Sequence, residues 1–139
     1  MNIKVKTDTD KYIQINVEEL LEMDVNNLPD LMVKLPLHIA QFGIYLANAK
    51  LEKSNAANDV KVKKAAIAKF YKEVVAPRDG LKTTIAHVDE YVSTHLDVIE
   101  ARNNRETTAH TVDSLVAIVS ALQAKLDVAK LLFRENVIK

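Results

Sequence analysis

The chain has 139 residues, 48% of them hydrophobic, and its 19 basic side chains balance 19 acidic ones. This is enough apolar material for one domain's core, and with no cysteine present disulfides and thiolate metal sites are excluded. Two glycines and three prolines are too few for a turn-rich β-sandwich or a glycine-loop nucleotide fold, and point to long helices. No apolar run approaches a membrane span and no basic-then-apolar leader opens the chain, so the expected location is the cytoplasm.

In chain order, residues 2–6 and 12–16 alternate apolar and polar around the turn-forming stretch Thr7 to Lys11. This predicts an N-terminal β-hairpin, residues 1–16, and such a hairpin needs support from other elements because two strands alone are marginal in water. The rest, residues 17–139, reads as a helical domain. A short helix over Val17 to Met23 comes first. A longer one begins near Asn27, with Asn27 as cap, Pro29 in the first turn and Asp30 suited to the helix dipole. Pro36 is a place where that helix kinks or restarts, and Ile39, Phe42, Leu46 and Ala49 carry its stripe to about Lys53.

Ser54 to Asn58 is read as a link, followed by a basic helix over 58–75 that ends before the Pro77 to Gly80 turn. Two heptad helices then follow, over 81–102 and 104–135, separated at Asn103 and Asn104, where Asn103 and Glu106 resemble a capping box. The first carries Leu81, Ile85, Val88, Val92, His95 and Ile99, and the second Val112, Leu115, Val119, Leu122, Leu126, Ala129 and Phe133. Alternating three- and four-residue spacing makes each stripe a narrow ridge that must be buried against a helix of the same chain or a neighbouring one. The second set is taken as the oligomerisation seam. The fold class is therefore mainly α, a bundle of about four to five helices with long C-terminal heptad helices and a small N-terminal hairpin.

Neutrality conceals segregation. Between Lys50 and Lys72 stand seven lysines (50, 53, 61, 63, 64, 69 and 72) against Glu52 and Asp59, a net of +5. Phe70 and Tyr71 lie among them. Lysines neutralise phosphates and an aromatic face stacks on an unpaired base, so Lys50, Lys53, Lys61, Lys63, Lys64, Lys69, Phe70, Tyr71 and Lys72 form the candidate DNA-binding set. The plainer reading of the same residues is a solvated helix face with Phe70 and Tyr71 turned into the core.

Chemistry beyond binding finds little footing. His87 and His95 are eight residues apart, about 12 Å along a helix, too far to share one ion, and the Glu-x-x-His spacing of di-iron bundles is missing. His95 falls on the apolar seam and reads as a core or interface histidine. Nucleophile-elbow, phosphate-loop, dinucleotide and His-Glu-x-x-His motifs are absent, and Ser54, Ser93, Ser114 and Ser120 have no base at a telling spacing. No enzyme activity, cofactor or metal is expected.

Three pieces in order, Val17 to Val25, His38 to Leu46 and the lysine-rich stretch ending Ala68-Lys69-Phe70-Tyr71, resemble the UvsY family of phage recombination mediators. Leu81 to Ile85 and the terminal helix with Leu122-Gln123-Ala124-Lys125-Leu126 extend the likeness over about residues 17 to 135. The resemblance implies a ring of six or seven identical subunits that binds single-stranded DNA. It also implies help for a RecA-like recombinase in displacing a single-strand-binding protein during recombination-dependent replication and repair. The family's basic and aromatic stretch maps onto Lys61, Lys63, Lys64, Lys69, Phe70 and Tyr71, and repetition around a ring would supply avidity that one weakly basic copy lacks. The other reading of the chain is a non-catalytic phage structural or adaptor protein acting through oligomerisation.

Overall fold

A computed structural model describes residues 1–7, 11–23 and 25–138. The fold is mainly α, with long helices and a small N-terminal antiparallel hairpin. Strands β1 (Asn2–Lys6) and β2 (Tyr12–Asn16) pair in the register Asn2 to Asn16 through Lys6 to Tyr12. The expected turn residues Asp8 to Asp10 lie outside the described residues. Helix α1 (Val17–Leu21) follows at once, capped by the Asn16 side chain, which accepts from the Glu19 N–H at 3.1 Å.

After a single 3₁₀ turn (Val25–Asn27), helix α2 (Leu28–Phe70) runs for 43 residues. It continues through Pro36, and it continues through Ser54 to Asn58, where the sequence suggested a link and a separate basic helix over 58–75. The reason is visible in the packing. Ala56 and Val60 are buried, and two alanines sustain the helix where serine and asparagine alone would favour a turn.

A π-helical turn (Tyr71–Val75) closes α2, marked by the Ala76 N–H reaching back five residues to the Tyr71 carbonyl. The short helix α3 (Ala76–Asp79) ends on Gly80, whose φ of 66° is the left-handed conformation that glycine adopts without a Cβ clash. Residues 81–84 are non-helical, so α4 (Ile85–Thr94) starts four residues later than its heptad suggested, with Thr84 as its cap.

The next break is also displaced. It falls at His95, and α5 (Leu96–Ile138) is continuous through Asn103 and Asn104. Both asparagines are exposed on α5, where they cost helix propensity without disturbing any packing. His95 terminates α4 in an extended conformation, its Nδ1 accepts from the Asp97 N–H at 3.2 Å, and its carbonyl accepts from the Val98 and Ile99 N–H groups. One residue thus ends one helix and starts the next. The predicted helices over 81–102 and 104–135 are replaced by 85–94 and 96–138.

The chain divides into two compact units, one of residues 1–50 with 110–139 and one of residues 51–109. In the first, Val5, Val17, Leu28, Leu35, Phe42, Tyr45 and Ala49 pack with Val112, Leu115, Ile118, Leu122, Leu126 and Ala129. The α5 heptad therefore meets α2, α1 and the hairpin of its own chain. This corrects its assignment as the oligomerisation seam: Val112, Leu115, Leu122, Leu126 and Ala129 are buried and Val119 is partly buried against the same core, leaving Phe133 at the rim. A long, regular ridge needs a partner helix, and α2 supplies it within the chain.

Lys125 fastens α1 to this core. Its ammonium donates to the Leu20 carbonyl at 3.1 Å and to the Glu22 carbonyl at 2.5 Å, at the C-terminal end of α1 where helix carbonyls lack partners.

In the second unit Tyr71, Val75, Ala76, Val88, Val92 and Val98 form a separate core. Of the heptad read there, Val88 and Val92 are buried while Leu81, Ile85 and Ile99 stay exposed. The break at His95 resets the helical phase, so Val98 and not Ile99 enters the core.

Candidate nucleic-acid interface

The basic stretch of the second unit occupies the last five turns of α2 and the π turn. Lys53, Lys61 and Lys64 recur at eight and three residues, which returns them to one side of an α-helix. Lys53, Lys61, Lys63, Lys69 and Lys72 are exposed and Lys64 is half-buried. Lys50, in the first unit, is exposed as well. None of Lys61, Lys63, Lys64, Lys69 and Lys72 forms an ion pair among the described residues.

The two predicted aromatics part company. Phe70 is 46% exposed, whereas Tyr71 is 3% exposed. The Tyr71 hydroxyl donates to the Lys82 carbonyl at 2.6 Å, and its ring lies 4.8 Å from that of Tyr91, which in turn lies 5.9 Å from the His95 imidazole. A ring packed in this way cannot stack on a base, so Tyr71 leaves the DNA-binding set and Phe70 stays. The signal was present in the spacing: Ile67, Tyr71 and Val75 recur every four residues, and all three face the second core.

Carboxylates temper the basic surface. Lys63 shares a shallow depression with Asp59, Asp97 and Glu100, and Lys64 shares another with Asp89, Glu90 and Arg102. Lys61, Lys69 and Lys72 border neither depression. Apart from Asp59, this acidic company is contributed by α4 and α5, so sequence reasoning over residues 50–72 could not see it.

Other chemistry is sparse. Among the described residues no three histidine, aspartate or glutamate side chains gather closely enough to hold a metal ion. His87 Nδ1 is engaged with the Thr84 hydroxyl at 2.5 Å, and His95 Nδ1 caps α5. Arg78 and Asp79 hydrogen-bond each other, which holds the Asp79 carboxyl below its ordinary range and the guanidinium above its own. Among the described residues no helix is long and apolar enough to cross a membrane.

The second unit thus presents exposed lysines and the exposed Phe70 along the end of α2 and the π turn. No family model matches this chain, and neither the curated proteins nor the solved structures give a match.

Proposed function

We propose that the protein binds single-stranded DNA through Lys53, Lys61, Lys63, Lys64, Lys69, Lys72 and Phe70. In this reading it serves as a recombination mediator, helping a RecA-like recombinase onto DNA coated by single-strand-binding protein. The observation that carries the reading is a set of lysines that form no ion pair among the described residues, in a stretch that also holds the exposed Phe70 ring, the combination that tracks a phosphate backbone while offering one stacking face. Self-association multiplies that weak surface. The role requires no catalytic group, since handing DNA from one protein to another is an exchange of binding equilibria.

The test is recombinase loading. A RecA-like recombinase is mixed with an oligonucleotide precoated by single-strand-binding protein, and filament formation is followed with and without this protein. Faster filament growth is expected, with the acceleration lost in the variant Lys61→Ala, Lys69→Ala, Lys72→Ala. No acceleration, with recombinase active on bare DNA, overturns the reading.

A helical adaptor is the second reading, and the exposed apolar side chains Leu81, Ile85 and Leu96 of the second unit favour it. It predicts no DNA affinity and no effect of lysine removal on partner capture.

A further inference from the structure

The two depressions beside the lysines flank α2 on opposite sides. Val60 is 1% exposed and marks the buried line of this part of the helix. Lys63 and Lys64 stand three and four residues later, about 60° to one side of that line and about 40° to the other at ~100° per residue. Lys61 and Lys69, one and nine residues after Val60, fall on the outward half of the helix, where both are exposed.

The Lys63 depression is lined by Asp59, Asp97, Glu100, Ala101 and Asn104, so one ammonium meets three carboxylates. The Lys64 depression is lined by Asp89, Glu90, Val92, Ser93 and Arg102, two cations with two carboxylates. Asp89, Glu90, Asp97 and Glu100 are exposed and Asp59 is half-buried. Among the described residues Asp59, Asp89, Glu90 and Glu100 form no ion pair, and Asp97 approaches the His95 Nδ1 at 4.0 Å. The outward lysines thus run between two flanks that carry negative charge.

We infer that these carboxylates are specificity determinants, which make the surface select a single strand and turn a duplex away. The inference deepens the DNA-binding reading and rests on it. Lysines by themselves discriminate in the opposite direction, because each phosphate contact releases more counterion from a duplex, ~0.9 against ~0.7 on a single strand. What the flanks add is a penalty that depends on width. The two phosphate rails of a duplex stand about 6 Å apart across the minor groove and about 12 Å across the major one. An α-helix with its side chains is about 10–12 Å across. A duplex seated on the outward lysines therefore brings phosphates over one depression or both, and its stiffness, with a persistence length of about 150 bp, keeps it from bending away. A single strand has one row of phosphates and turns at each nucleotide. It sets those phosphates on the ammonium groups and leaves a base for the exposed Phe70 ring. A carboxylate about 8 Å from a phosphate, one Debye length at physiological salt, repels it weakly, and the exposed carboxylates Asp89, Glu90, Asp97 and Glu100 together weaken duplex binding about fourfold.

The test is fluorescence anisotropy on the full chain with a labelled single strand and a labelled duplex of the same length. Wild type is compared with the quadruple variant Asp89→Asn, Glu90→Gln, Asp97→Asn, Glu100→Gln, whose positions are all exposed, so unchanged circular dichroism is expected. The pair on each flank is also tested by itself, so that one pair reports if the other disturbs folding. Wild type is expected to prefer the single strand. The quadruple variant should bind the duplex about fourfold tighter, with single-strand affinity changed less than about twofold, and the gain should grow as salt is lowered. Asp127→Asn with Glu135→Gln makes the same charge change as one pair, outside both depressions, and should leave the preference as in wild type. A wild type that prefers the single strand and a quadruple variant with the same preference overturn this inference alone. So does a variant that gains equally on both ligands, or a wild type that binds the duplex as well as the single strand. Absence of wild-type binding to either ligand contradicts the mediator reading and this inference together.

Discussion

Leu122→Ala tests where the long heptad is buried. Leu122 is 0% exposed and sits among the first unit's core side chains. The substitution removes three carbons, about 2.4 kcal/mol of transfer free energy at ~0.8 kcal/mol per buried methylene. The cavity that remains raises the loss to about 3–4 kcal/mol where neighbours are held in place. For a chain of this length that corresponds to a fall of about 10–14 °C in the melting midpoint, using ~2.1 cal/mol/K per residue for the unfolding entropy. Urea unfolding followed by circular dichroism gives the free energy directly, and sedimentation velocity reports the oligomeric state. Phe133→Ala, on the same heptad but 36% exposed, is the internal control, with an expected loss below about 1 kcal/mol. The reasoning is refuted if Leu122→Ala leaves stability within about 0.5 kcal/mol of wild type and dissolves the assembly instead, since that pattern belongs to a seam between chains.

Tyr71→Phe removes a hydroxyl that donates to the Lys82 carbonyl and leaves that carbonyl short of a partner, so a loss of about 1–2 kcal/mol in urea unfolding is expected with single-strand affinity unchanged. Phe70→Ala should do the reverse, weakening single-strand binding by about 1–3 kcal/mol in anisotropy titrations with little change in stability. Gly80→Ala forces a side chain into a φ of 66° and should destabilise by about 1–2 kcal/mol, read from the thermal midpoint. Burial holds the Lys125 pKa below its ordinary value, against an opposing pull from Glu22. A lysine whose folded pKa is depressed binds fewer protons folded than unfolded, so its contribution becomes more favourable as pH rises from the folded pKa to the ordinary one near 10.5. Wild type should therefore gain stability relative to Lys125→Met through that alkaline window, and a constant difference across it counts against the assignment.

The helical class, the hairpin and the turn at Gly80 were legible because each rests on local signals: alternation, scarce glycine and proline, and one Pro-to-Gly turn. Helix boundaries were less so. Serine and asparagine at 54–58 and asparagine at 103–104 carry turn propensity, but both stretches lie inside helices whose cores, at Ala56 and Val60 in one case and at Ala101 in the other, continue past them. The true break at His95 was hidden because the heptad count runs on through it, and the histidine acts by capping α5, a role that spacing does not encode. The lysines of the candidate site were legible by charge. Their acidic neighbours Asp89, Asp97 and Glu100 were not, being close only after folding, and Tyr71 could have been withdrawn from the set by its four-residue spacing with Ile67 and Val75. The α5 heptad announced a buried seam without saying whose helix would cover it, since an apolar ridge is satisfied equally by its own chain or by another.

The most direct measurement of the central claim is fluorescence anisotropy with a labelled single-stranded oligonucleotide across a salt series, against a duplex of the same length. Six lysines per chain, each neutralising one phosphate, predict a log–log slope near −4, at ~0.7 per contact on single strands, with binding stronger on the single strand than on the duplex and the slope falling to about −2 once Lys61, Lys69 and Lys72 are alanine. Absence of binding at low salt, or an affinity that ignores both salt and those lysines, would contradict the account.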